Sequence, residues 1–190
     1  MPAFLSRLHV GRLAVVMTLV ASVGVTWAIS ASAHVAYDGS GRFRHQSHSR
    51  NLFFWNTVTS DRWWQQTRDA QIHWDTVMQP ALQFNTASSV ASSTIHAVDG
   101  NYGQTGYIGF ADGWGYHAGH GHMQLNDYYG RGQPDAYLQK VSCHEMGHFA
   151  GLAHSSDATD CMVSGSDFDS QLIGSSHAQQ MRNTWNSTGH

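Results

Sequence analysis

The chain has 190 residues, with 10 basic and 13 acidic side chains and a formal net charge of −3. Only 12% of residues are charged and no basic run occurs, which argues against nucleic acid as a partner. Polarity comes mainly from uncharged groups, and the chain holds a single Lys and a single Glu, Glu145.

The first segment reads as a leader. Arg7 and Arg12 precede an apolar run from Leu13 to Ile29, and Ala31-Ser32-Ala33 offers a small-residue cleavage pattern. A membrane anchor is the alternative. Thr18, Ser22, Gly24 and Thr26 make that run a short and weak spanning helix. Residues 1–33 are therefore expected to be a signal peptide, leaving 34–190 as one secreted, extracellular domain. Losing Arg7 and Arg12 leaves eight basic against thirteen acidic residues, a net charge of −5. The domain is expected to be monomeric, without stable membrane association. Its two cysteines, Cys143 and Cys161, predict one disulfide in an exported chain, with two free thiols as the alternative.

Residues 34–50 read as irregular. Phe53, Phe54 and Trp55 suggest a first strand. Asp61 is a candidate N-cap for a helix running to about Gln79, where Pro80 stops it. Trp63, Trp64 and Trp74 read as a core-facing stripe of that helix. Strands are predicted at Ala81–Asn85, Thr94–Val98, Thr105–Ala111 and Gly121–Asn126, between Gly, Asn and Asp punctuation. Residues 128–135 read as a loop. Asp135 is a candidate cap for a helix that ends at Gly151, and a last helix spans Ser176 to about Trp185.

The densest signal runs from Cys143 to His154. His144 and His148 are four apart, so on a helix they project from one face a turn apart. Two imidazoles so placed can grip one metal ion at about 2 Å. A straight helix presents a third ligand poorly. Gly151 accepts backbone angles that turn the chain away sharply and bring His154 back. Three neutral nitrogens leave a zinc ion one open position and its Lewis acidity available to a water. Glu145 follows the first ligand directly and sits beside the ion, placed to act as a base. A purely structural histidine cluster would leave the sole Glu, both spacings and Gly151 unexplained. Cys143 lies about 100° around the helix from His144 and so points away from the metal.

This stretch resembles the metzincin signature His-Glu-x-x-His-x-x-Gly-x-x-His. The resemblance implies zinc held by His144, His148 and His154, with Glu145 as the base. It also implies a tight turn with a Met beneath the zinc, for which Met162 is the candidate. The offset of Met162, eight residues past His154, and Ser155 after the third His look most like the matrixin branch. Val163-Ser164-Gly165 depart from the Pro and Tyr usual after that Met. A Cys143–Cys161 bond would tie the active-site helix to the Met turn, adding about 3 kcal/mol.

The implied fold is α+β and metzincin-like: a twisted, mostly parallel sheet with an antiparallel edge strand, an active-site helix and a C-terminal helix. The implied activity is zinc-dependent endopeptidase, with protein or peptide substrates. In metzincins the strand before the active-site helix adds an extended substrate, which points to Gly121–Asn126. Secondary expectations are a structural zinc at Asp112, His117, His120 and His122, or calcium at the Asp99-Gly100-Asn101 turn and Asp112. Solvated histidines and a plain turn are the blander readings. Two functional rivals stand. One is a secreted metal- or peptide-binding protein without catalysis. The other is a copper oxygenase using His34 as its new N-terminus, with His45 or His48.

Overall fold

In the first strand, β1 (Asn51–Asn56), Leu52 and Phe54 are buried while Phe53 is exposed, the two-residue period of a sheet covered on one face. The structure is a computed structural model and describes residues 51–111, 121–152, 154–155, 157–165 and 172–187. Asp112, His117, His120, His34, His45, His48 and the leader lie outside the described residues.

Four more strands follow: β2 (Gln83–Thr86), β3 (Ile95–Gly100), β4 (Gly109–Ala111) and β5 (Gly121–Asn126). Their order is β2-β1-β3-β5-β4. β1 runs parallel to β2 and β3, β3 runs parallel to β5, and β4 pairs antiparallel with β5. The α+β reading holds, as does the mostly parallel sheet with one antiparallel edge strand.

Two elements differ from expectation for physical reasons. Ala81 and Leu82 do not start β2, because their amides bond to Met78 O and complete the preceding helix turn. The strand expected over 105–111 shrinks to Gly109–Ala111, because the segment before it is organised by one buried side chain. Asn126 Nδ2 donates to Gly103 O, Thr105 Oγ1 and Tyr107 O. Its Oδ1 accepts from the amides of Tyr102 and Tyr128. These bonds replace ladder pairing for the loop over 101–108.

Helix α1 (Asp61–Met78) buries Trp63, Thr67, Ala70, Trp74 and Met78, one stripe at spacings of three and four. Trp64 is not part of that stripe; it is exposed, and Arg68 lies over its ring at 5.4 Å. The N-cap is Ser60, not Asp61. Asp99, at the end of β3, accepts from the amides of Thr59 and Ser60 and from Thr59 Oγ1. The carboxylate considered for calcium therefore fixes the chain entering α1. Asn101 is likewise used locally, accepting from the Gly103 amide.

A short helix α2 (Asp127–Gly130) leads to α3 (Asp135–Phe149), and α4 (Ser175–Ser187) follows the site. α1 and α3 pack against each other and the sheet. Polar groups trapped between them are paired: Thr67 Oγ1 lies 3.1 Å from Ser142 Oγ, and Trp74 Nε1 donates to Cys143 O at 3.1 Å. Trp74→Phe keeps most of the apolar volume but removes that hydrogen bond and leaves a gap at a fully buried position. It is expected to cost about 1–3 kcal/mol in a urea unfolding titration. Among the described residues no helix is long and apolar enough to cross a membrane.

Candidate metal centre and active site

The N-cap of α3 is Pro134; Asp135 sits inside the first turn and pairs with Arg62 at 2.7 Å on the surface. An acid there still complements the helix dipole. At the other end the Gly151 amide donates to His148 O and the Leu152 amide to Gly147 O. Gly151 has φ of 92°, a left-handed conformation that a Cβ would strain. The helix therefore stops and the chain doubles back toward its own last turns.

That reversal brings the three histidines together. Ring centroids are 4.7 Å apart for His144 and His148, 5.0 Å for His144 and His154, and 5.1 Å for His148 and His154. One ring nitrogen from each lies within 4.8 Å of the others. His144 Nδ1 lies 2.8 Å from Cys161 O, and His148 Nδ1 lies 2.9 Å from Leu152 O. A carbonyl only accepts, so each Nδ1 carries the proton and each Nε2 keeps a lone pair for an ion. Burial lowers the His144 pKa to about 3, assisted by neighbouring His148 and opposed by the Cys161 carbonyl. Burial likewise lowers His148 to about 4, opposed by the Leu152 carbonyl. Both rings are neutral at neutral pH, the form a metal requires. His154 is exposed and faces the open side.

Glu145 is buried beside them. Burial pushes its carboxyl up to about 8, against a backbone hydrogen bond from Ala111 that favours the ionised form. The edge strand presses on it: a Cβ on Gly109 would lie 2.6 Å from Glu145 Oε1 and 2.5 Å from Val141 Cγ1. β4 therefore both holds and orients this carboxylate, and only Gly fits at 109.

The Cys143–Cys161 disulfide forms, joining α3 to the turn that carries Met162. Asp160 Oδ1 accepts from the Met162 amide at 2.8 Å and shapes that turn. Met162 is fully buried against α3: a Cβ on Gly147 would come within 2.2 Å of its Sδ. Met162 O accepts from the Ser155 amide at 2.9 Å, tying the turn to the residue after His154.

A cavity of about 450 Å³ opens beside the triad, between residues Gly106–Gly109, the α3 residues Tyr137, Lys140, Val141, His144 and Glu145, and Val163–Gly165. β5 is not the strand that borders it. β5 lies between β3 and β4, paired on both sides, so the expectation that Gly121–Asn126 adds a substrate strand is corrected. The edge is β4. For the second metal, His122 is exposed on β5, with its ring 5.7 Å from His96, which stacks on Trp55 at 4.6 Å. Among the described residues His144, His148 and His154 form the only cluster of three potential ligands.

Three contributors escaped the sequence reading: Asn126, which shapes the cavity's loop wall; the Ala111 amide on Glu145; and Lys140, which lines the cavity. Only Lys140 left a signal, as the chain's one lysine four residues before His144.

A search of the curated proteins finds no match. Among solved structures, myroilysin is similar to this chain, with 9% identity, a TM-score of 0.51, and coverage of 80% of this chain and 95% of that one. At that identity the likeness concerns the fold. A scan against protein families matches Matrixin over residues 30–172, most of the sequence and the whole of the histidine site. The chain belongs to the matrixin family, a family of zinc metalloproteases.

Proposed function

We propose that this protein is a secreted zinc endopeptidase in which His144, His148 and His154 hold the metal and Glu145 is the general base. One observation carries the reading: three imidazole nitrogens lie within 4.8 Å of one another beside a buried carboxylate. The donor set fits zinc, since three neutral nitrogens with oriented second nitrogens match its catalytic sites. When bound, zinc supplies Lewis acidity toward a water and the scissile carbonyl.

The chain's own residues do the rest. Gly151 delivers His154, Met162 and the disulfide back the ligand helix, and the Cys161 and Leu152 carbonyls fix the imidazole tautomers. Glu145 takes a proton from the attacking water. Held by the Ala111 amide beside the histidines, it can pass that proton on to the leaving amine. An extended peptide lies along the outer edge of β4, with main-chain hydrogen bonds aligning it over the site. The disulfide and the leader pattern of residues 1–33 support secretion, with 34–190 as the catalytic domain. Sequencing of the exported protein should then begin at His34.

Digestion of casein tests the activity. Cleavage should stop with a chelator and return when about one equivalent of zinc per chain is restored. A zinc-loaded protein that leaves casein and gelatin intact would make this a metal-binding protein without catalysis.

A further inference from the structure

The cavity beside the histidines extends along α3 toward its N-terminus. Tyr137, Lys140, Val141 and His144 all line it, and their spacing of three, four and seven places them on one helical stripe. Val163 and Ser164 contribute across the cavity. The reacting centre at Glu145 and His144 therefore stands at one end. Lys140 stands a turn away, about 6 Å along the helix axis at 1.5 Å per residue. Lys140 is the chain's only lysine and is 3% exposed. Apart from histidines, the charged residues lining the cavity are Lys140 and Glu145. An ammonium this deep keeps its charge only among acceptors, and its three donors leave room for more than one of them.

We propose, on the basis of the peptidase reading above, that Lys140 sets the specificity of this cavity. It selects a substrate residue flanking the scissile bond whose side chain is acidic, Asp or Glu. A carboxylate on one or two methylenes, entering beside His144, comes into the cavity that this lysine lines. An apolar side chain of the same length brings no acceptor to that ammonium. A Lys or Arg side chain brings a like charge into a poorly solvated space, which disfavours it further.

The test is cleavage of a random peptide library by the zinc-loaded protein, mapped by mass spectrometry at each position around the cut. Asp and Glu are expected to be enriched about tenfold or more over Leu at one flanking position. Lys140→Arg should keep that enrichment. Lys140→Met should exchange it for apolar residues, and Lys140→Glu should move it to Lys and Arg. Each profile is a ratio within one digestion, so a variant that folds poorly still reports its preference. Cleavage by the wild type with an apolar or flat profile overturns the role of Lys140 and leaves the peptidase reading intact. Identical profiles for wild type and Lys140→Met do the same. No cleavage by the wild type overturns both.

Discussion

Glu145→Gln is expected to lower peptide turnover by about 10²–10⁴-fold while zinc remains bound. Gln has nearly the same shape, so it occupies the space that Gly109 leaves open, and its side-chain oxygen still accepts from the Ala111 amide. It cannot take a proton from water. The three imidazoles are untouched, so zinc content by elemental analysis should equal that of the wild type. Turnover close to wild type would remove Glu145 from the role of base.

The same substitution has a consequence for the metal-free protein. The folded-state pKa of Glu145 lies at about 8, above its ordinary value of 4.5. Between those values the folded state binds more protons than the unfolded state, so stability falls as pH rises from about 4.5 to 8. Gln has no such penalty. Metal-free Glu145→Gln should be the more stable protein at pH 8, by on the order of a few kcal/mol, and the difference should vanish toward pH 4.5. Thermal melts at the two pH values measure it. Equal melting temperatures at pH 8 would mean that the carboxyl is better solvated than its burial implies.

Gly147→Ala is expected to damage the metal site from behind. The new methyl would lie 2.2 Å from Met162 Sδ, 3.0 Å from its Cε and 3.2 Å from Trp74 Cζ2. Met162 is flexible, but it and Trp74 are fully buried, so the displaced sulfur has no free space behind it. Overpacking of this kind costs about 1–3 kcal/mol. Displacing Met162 also moves Cys161, whose carbonyl holds His144 Nδ1. Loss of such an outer hydrogen bond typically weakens metal affinity by about 10–100-fold. Urea unfolding and a competitive zinc titration measure the two effects. Wild-type zinc affinity in a destabilised variant would separate the Met turn from ligand positioning.

Helices and strands were legible in outline because their periods differ and Gly, Asn and Pro mark the breaks between them, while the fold class followed from the resemblance carried by the histidine motif. Element bounds were less so. Asp61 and Asp135 looked like caps, yet the caps are Ser60 and Pro134, and the chain entering α1 is held by Asp99, some forty residues away. Trp64 fits a helical stripe as well as Trp63 does. Which of them is buried depends on where the sheet and α3 lie.

The candidate metal centre is the part that sequence alone determined. Two histidines four apart, a glycine three residues on and a third histidine three beyond it interact over a single helix and bend, so local geometry suffices to bring them together. The tertiary structure decided what surrounds it. Among the described strands β4 rather than β5 is the edge beside the site, because strand order depends on pairings between distant segments. Asn126 shapes the cavity wall through bonds to residues about twenty positions earlier. Lys140 lines the same cavity as His144 because the segment before β4 and the residues after Met162 border that stripe of α3. None of these follows from spacing along the chain, since each depends on which surfaces the buried hydrogen bonds and the packed core bring into contact.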